Sequence, residues 1–213
     1  SVRLPSSLPR NPQNPATTRN PIAPLPSPPA SENSSNDLLS TASSTTYLEE
    51  QQILSPLQRG FRPLRSTTDV LARLTAQIQS GFHRQPPHGR TLALLLDLSA
   101  AFDRVSHPVL LETFRDLNLP TAFARFYSGF LSGRTFRVRV GSTLSRECTQ
   151  QSGVPQGTVS GPVLFVIYTE ALLRHLRPTL SSLSVQAGMF ADDLTIWVTG
   201  PDPDALAAAL TVI

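Results

Sequence analysis

The sequence predicts an α+β fold, a small antiparallel sheet packed on helices behind a disordered N-terminal segment. Three observations carry this. From Tyr47 onward, stretches of helical and of strand period alternate. In "MFADDLTIWV" two short apolar strands meet at Asp192 and Asp193, the pattern of a hairpin. Residues 1–46 show neither period: nine of the first 30 are Pro, and Ser, Thr and Asn fill most of the rest. Such a stretch buries too little apolar area to offset the entropy of ordering it, and its prolines favour polyproline II.

"YLEEQQILSPLQRGF" reads as a short helix ending before Pro56. "RSTTDVLARLTAQIQSGF" is helical, with Val70, Leu71, Leu74 and Ile78 at helical spacing, Ser66 or Thr67 as cap and Asp69 in the first turn. "QPPHGR" is a loop. "TLALLLDL" is a nearly continuous apolar run, as expected of a strand buried on both faces. "SHPVLLETFRDLNL" is a helix opened by Ser106 and Pro108, and "TAFARFYSGFLSG" is a second one closed by Gly133. "RTFRVRVG" alternates, with Phe136, Val138 and Val140 on one face and Arg137 and Arg139 on the other. "STLSRE" turns it back, so that "CTQQSG" can pair with it. "GPVLFVIYTEALLRHL" is apolar nearly all round and should be a buried helix. After the hairpin, "DPDALAAALTVI" begins a further helix.

Composition narrows the function classes. All 18 basic residues are Arg, against 15 acidic ones, for a net charge of +3. Arg suits phosphate through its planar fork, but so small a net charge does not by itself require a nucleic-acid partner. The absence of Lys reads most simply as a coding bias. A single cysteine, Cys148, excludes a disulfide framework or a Cys-based zinc site within the chain. No apolar run is long enough to span a bilayer, and the N-terminus lacks a secretory core. The expectation is therefore a nuclear or cytoplasmic protein with no membrane partner. The chain starts with Ser and stops at Ile213 inside an apolar stretch, as a fragment would.

Three acidic positions carry the chemistry. Asp97 ends the apolar strand, and Asp192 and Asp193 sit at the hairpin tip. An unpaired carboxylate beside apolar chain is costly to desolvate, and a second one next to it adds like-charge repulsion. Hard divalent cations, which prefer carboxylate and phosphate oxygens, remove both penalties. Two adjacent Asp also suit an ordinary turn, and Asp97 alone suits a helix cap. Taken singly, these stretches leave both readings open. Between them lies "QQSGVPQGTVSGPVLF", where Gly153, Gly157 and Gly161 surround Pro155 and Gln156. Closely spaced glycines admit another backbone, and a Gln amide offers both a donor and an acceptor.

In this order and spacing, "LLLDLSAAFDRVSH", "SGVPQGTVSGPVLF" and "MFADDL" resemble the palm motifs of reverse transcriptases. "LQRGFRPLRSTTDVL" is similar to the segment preceding them in non-LTR (LINE-type) retrotransposons. The resemblance covers about Tyr47 to Val198. It implies a palm with partial fingers and the thumb missing, which performs RNA-directed DNA synthesis with an RNA template, a DNA primer and dNTPs. It also implies two Mg2+ ions, with Mn2+ as a substitute. Asp97 would be the first metal ligand, helped by the backbone carbonyl of Leu98. Asp192 would bridge both ions, with Asp193 a less direct third carboxylate. Phe102 would lie under the sugar of the incoming nucleotide and select against a 2′-OH. Gln156 and Gly157 would face the nascent base pair and template, and Arg62 and Arg65 would contact backbone phosphates. Phe190 stands where many retroviral relatives carry Tyr.

The resemblance divides the chain into residues 1–46, a Pro/Ser/Thr-rich segment, and residues 47–213, a partial reverse transcriptase domain. The first segment stands where the family has an earlier fingers motif and helix, and reads as a frame-shifted stretch. The other reading frames of its DNA test this: a frame encoding an apolar helix is expected, and its absence in every frame contradicts it. Lacking a thumb, the chain is expected to show little or no polymerase activity alone. Two alternatives remain at this stage, a non-catalytic relic that at most binds nucleic acid and a group II intron maturase-type enzyme.

Overall fold

The computed structural model describes residues 44–213. The expectation of disorder over residues 1–46 thus lies outside the described residues up to residue 43. Residues 44–50 are already helical (α1), so regular structure is under way before Tyr47.

A three-stranded antiparallel sheet forms the centre. β1 (Arg90–Asp97) pairs with β7 (Asp193–Gly200), which pairs in turn with β6 (Gln186–Phe190), giving the order β1-β7-β6. Helix α2 (Thr67–Phe82) lies against it, with Val70 packed on Gly188. The N-terminus of α2 is capped as the sequence predicts: the Ser66 N–H donates to the Asp69 carboxylate over 2.9 Å. Of the apolar positions read from its period, Val70 is buried and Leu74 and Ile78 are partly covered, while Leu71 faces solvent. Helices α3 (His107–Asp116) and α4 (Thr121–Leu131) pack at one end, and α6 (Pro203–Thr211) follows β7 and lies on the sheet.

Helix α5 (Ser160–Ser182) ties the two halves together. Its first half, through Leu164, Phe165 and Ile167, packs among Val105, Leu110, Phe114 and Tyr127. Its second half, through Leu173 and Leu180, packs on Met189, Leu194 and Ile196 of the sheet. Serving two cores at different angles is the physical reason for its all-round apolarity. The helix also runs past the expected end and through Pro178. An interior proline costs about 3 kcal/mol. Beyond it Leu180 is buried in the sheet core and Leu183 is partly buried against it, and this burial offsets much of that cost.

Two expectations are corrected. The leucine-rich run is not a strand buried on both faces. β1 is the edge of the sheet, with β7 its only strand neighbour among the described residues, and Leu94, Leu95 and Leu96 are exposed, Leu95 by 75%. A run without alternation does not distinguish a central strand from an edge strand that lacks a cover. Nor is "RTFRVRVG" one continuous strand. β2 (Thr135–Phe136) pairs with β5 (Cys148–Thr149), and β3 (Arg139–Val140) with β4 (Thr143–Leu144). Between the two ladders the Ser145 N–H still donates to the Val138 carbonyl at 2.9 Å, but the Val138 N–H is taken by the Ser145 hydroxyl at 2.9 Å, and the register shifts by one residue from the first ladder to the second. Arg137 and Glu147 form an exposed ion pair there at 3.2 Å. Among the described residues no helix is long and apolar enough to cross a membrane.

Glu170 of α5 is 2% exposed and accepts the Ser55 N–H at 2.7 Å. Burial pushes its carboxyl above the usual range, against the opposing pull of that hydrogen bond and of Arg174 and Arg177. A folded-state value above the unfolded one makes its contribution to stability full at acid pH, and lost as pH rises through the raised value. We expect the stability of wild type relative to Glu170→Gln to fall as pH rises from the ordinary carboxylate range towards neutrality, as read by thermal unfolding at a series of pH values.

Candidate functional site

The register of the β1·β7 ladder sets the site. It places Asp97 directly opposite Asp193, at the last rung, and Phe190 opposite Asp193 on the other side. Residues directly opposite in an antiparallel pair point to the same face, with Cβ atoms about 5 Å apart. Ala191 and Asp192 form the two-residue turn. Ala191 is left-handed, with φ of 56°, whereas Asp192 has no positive φ. None of the three aspartates has a hydrogen-bond or ion-pair partner among the described residues. The donor set is thus hard carboxylate oxygen, with no ion-pair partner among the described residues. Among the described residues no group of three or more acidic, His or Cys side chains is placed to hold a metal ion. The two facing carboxylates of Asp97 and Asp193 fit a cation such as Mg2+, which is usually held by one or two carboxylates together with substrate phosphates.

The predicted nucleotide-binding residues come together. Phe102, Gln156 and Gly157 line one concavity of about 470 Å³, with Pro155, Thr158, Val159 and Pro162. Phe102 is half-buried: its ring stacks on Phe165 at 4.7 Å and meets the edge of Phe61 at 5.9 Å. It is both a core aromatic and a pocket wall. Gln156 and Gly157 are exposed at the start of the turn into α5. The loop before them is fixed to the strand-end segment. The Val154 N–H donates to the Phe102 carbonyl at 2.9 Å, the Gly153 N–H to the Val105 carbonyl at 2.8 Å, and His107 Nε2 lies 2.8 Å from the Gly153 carbonyl. Gly153 has φ of 87°, and a Cβ there would stand 2.9 Å from the Asp103 carbonyl, so only glycine fits.

The two predicted arginines separate. Arg62 is 8% exposed and its guanidinium is engaged by the fold. It grips the Glu49 carboxylate at 2.6 and 2.8 Å and donates to the Ser55 and Gln58 carbonyls at 2.7 and 2.9 Å. The expectation of a phosphate contact at Arg62 is therefore corrected: it is a clamp between α1 and the following loop, and it holds the Glu49 carboxyl below its usual range. Arg65 is half-buried and makes no hydrogen bond or ion pair among the described residues, though its charge acts on the Glu49 carboxylate.

Sequence reasoning passed over Gln58, Gly60 and His107. Gln58 is fully buried and its amide reaches the Ala191 turn. The main chain beside it pairs with β6: the Arg59 N–H donates to the Met189 carbonyl at 2.7 Å, and the Met189 N–H to the Leu57 carbonyl at 2.8 Å. The only signal in the sequence was an uncharged polar residue two places before a glycine, which by itself reads as a turn.

Residues 38–213 match the family described as reverse transcriptase (RNA-dependent DNA polymerase). Among curated proteins the chain is similar to the probable RNA-directed DNA polymerase from transposon X-element of Drosophila melanogaster, 33% identical over 71% of the chain and 16% of that protein. It is also similar to that from transposon BS of the same species, 31% over 70% and 16%. The RNA-directed DNA polymerase from mobile element jockey of Drosophila funebris is 31% identical over 71% and 16%. The chain thus spans about one sixth of the length of these relatives, 16%. Among solved structures, apo telomerase from Candida tropicalis truncated from its C-terminal domain shares the fold, with a TM-score of 0.60 at 12% identity over 84% of this chain and 36% of that one. Telomerase from Candida albicans gives 0.59 at 13%, over 83% and 32%.

Removal of Arg62 leaves Glu49 and two carbonyls without a partner. Arg62→Ala is expected to lose about 3 kcal/mol of stability in chemical denaturation, while Arg65→Ala changes it by less than about 0.5 kcal/mol.

Proposed function

The chain belongs to the reverse transcriptase (RNA-dependent DNA polymerase) family, in its non-LTR retrotransposon branch, and we propose that it carries the nucleotidyl-transfer site of an RNA-directed DNA polymerase. The observation that carries this reading is the rung that sets Asp97 against Asp193, with Asp192 in the adjoining turn and none of the three carboxylates in a hydrogen bond or ion pair among the described residues. The reaction is attack of a DNA primer 3′-OH on the α-phosphate of a dNTP, directed by an RNA template, with pyrophosphate leaving.

Asp97 and Asp192 are the residues that would hold divalent cations, Mg2+ or in its place Mn2+, as a pair of ions, with the Leu98 carbonyl assisting and Asp193 beside them. Bound there, the ions would neutralise the carboxylates and supply Lewis-acid stabilisation of charge at the phosphate. Phe102 forms a wall of the concavity and, backed by Phe165, cannot retreat from a sugar placed against it. It would exclude a 2′-OH by contact. Gln156 and Gly157 present an amide and an open backbone where a base pair would lie. Arg65, which makes no ion pair or hydrogen bond among the described residues, is available to a backbone phosphate.

The test is addition of a single dNMP to a DNA primer annealed to an RNA template, at high concentration of the chain and with Mg2+ or Mn2+. Addition is expected, and Asp97→Asn or Asp192→Asn should reduce it to background. An Asp192→Asn chain that extends as fast as wild type contradicts the reading. Phe102→Val should raise the use of rNTPs relative to dNTPs in the same assay, since it shortens the wall that meets the 2′ position.

A further inference from the structure

The turn that carries Asp192 is held by a side chain from a distant part of the sequence. Gln58 is fully buried, and all four hydrogen-bonding positions of its amide are used. Its Oε1 accepts from the Ala191 N–H at 3.0 Å and the Gly60 N–H at 2.8 Å. Its Nε2 donates to the Ala191 carbonyl at 3.1 Å and to the Thr169 hydroxyl at 3.2 Å. The orientation of the amide follows from its partners, because a backbone N–H only donates and a carbonyl only accepts. Gln58 therefore grips both polar groups of one residue, and that residue is Ala191, held left-handed at φ of 56°. For a non-glycine residue that conformation costs about 1–2 kcal/mol and persists only where the surroundings impose it.

The approach is close as well as polar. A Cβ on Gly60 would stand 2.1 Å from the Ala191 nitrogen, so only glycine lets the loop lie against the turn. The fourth bond of the amide runs to Thr169, whose hydroxyl in turn donates to the Val166 carbonyl at 3.0 Å within α5. The same helix begins at the concavity of Gln156 and Gly157 and packs through Phe165 against Phe102. One side chain thus joins the Asp192 turn to the helix behind the nucleotide pocket.

We propose that Gln58 is a positioning residue: by clamping Ala191 in its left-handed conformation, with Thr169 as anchor, it sets Asp192 and Asp193 in place opposite Asp97 for cation binding. This rests on the carboxylates being a cation site. Asn at this position is a methylene short of the turn, an ionised Glu has no donor for the Ala191 carbonyl, and Met has no donor and only a weakly accepting thioether. Gly60 admits the loop that carries it.

The test is Mn2+ titration of the 213-residue chain by electron paramagnetic resonance, with thermal unfolding run alongside. The variants are Gln58→Met, Thr169→Val and the double variant, with Asp192→Asn as the control for site occupancy. Mn2+ binding to wild type that is lost in Asp192→Asn is expected. Gln58→Met should weaken it about tenfold or more, the effect seen when groups orienting a metal ligand are removed. Thr169→Val, which keeps the helix and the shape of the side chain, should weaken it about threefold, and should add nothing when Gln58 is already Met. Should Gln58→Met fail to fold, Thr169→Val alone decides: unchanged Mn2+ affinity in that variant overturns the proposal. Wild-type affinity in a folded Gln58→Met chain overturns it as well, as does a double variant whose losses simply add. Absence of Mn2+ binding by wild type sinks the cation-site reading and this proposal with it, an outcome distinct from binding that ignores Gln58.

Discussion

The register between β1 and β7 is the constraint on which the rest depends. Because side chains alternate along a strand, a slip of one residue would send Asp97 to the opposite face from Asp193 and turn the leucines over with it. Apolar burial fixes the register: Leu194, Ile196 and Val198 of β7 enter the core shared with α5, while Trp197 is buried on the α2 side. The sheet therefore has apolar cover on both faces of its central strand. The last rung, where cover ends, is left to two carboxylates. Like charges directly opposite across a ladder oppose the pairing by about 0.2–1 kcal/mol. The fold tolerates this because many buried contacts hold the ladder behind it.

The surrounding elements then act on that rung. Residues 57–60 lie beside β6 and reach round the turn, and Arg62 fixes the loop they belong to by its bonds to Ser55, Gln58 and Glu49. Glu170 accepts from Ser55 from the other side. Helix α5 supplies both Glu170 and Thr169, and its N-terminal turn carries the pocket residues. Chain segments more than 100 residues apart, such as Gln58 and Thr169, are thereby made one unit around the carboxylates.

Much of this was legible in the sequence, for physical reasons. The α2 and α3 helices carry amphipathic period and N-terminal signals in Ser66, Asp69 and Pro108, and the hairpin at Asp192 follows from two apolar strands flanking polar residues. Phe102, Gln156 and Gly157 were singled out from the order of motifs and their likeness to a family, whereas their place on one concavity emerges only from the structure. What was not legible depended on neighbours. An apolar run such as "LALLL" says that a strand is apolar, not what lies beside it, and its edge position emerged only from the sheet order. The helix read as ending near Leu176 runs on through Pro178, because Leu180 beyond it is buried in the sheet core. Arg62 and Arg65 look alike in sequence, yet one is enclosed and the other is not. Gln58 gave no sign, because the value of its amide lies in the two backbone groups of Ala191, 133 residues away.

The central claim is that the carboxylates of Asp97, Asp192 and Asp193, which have no hydrogen-bond or ion-pair partner among the described residues, are set for a cation. Thermal unfolding of wild type and Asp97→Asn, each with and without Mg2+, tests it most directly. Without metal, the Asn variant should be at least as stable as wild type, gaining up to about 1 kcal/mol from the relief of repulsion. Added Mg2+ should raise the Tm of wild type by mass action and leave the variant unmoved. A variant that loses stability in metal-free buffer, beside a wild type whose Tm ignores Mg2+, would show that these carboxylates serve the fold and would contradict the account.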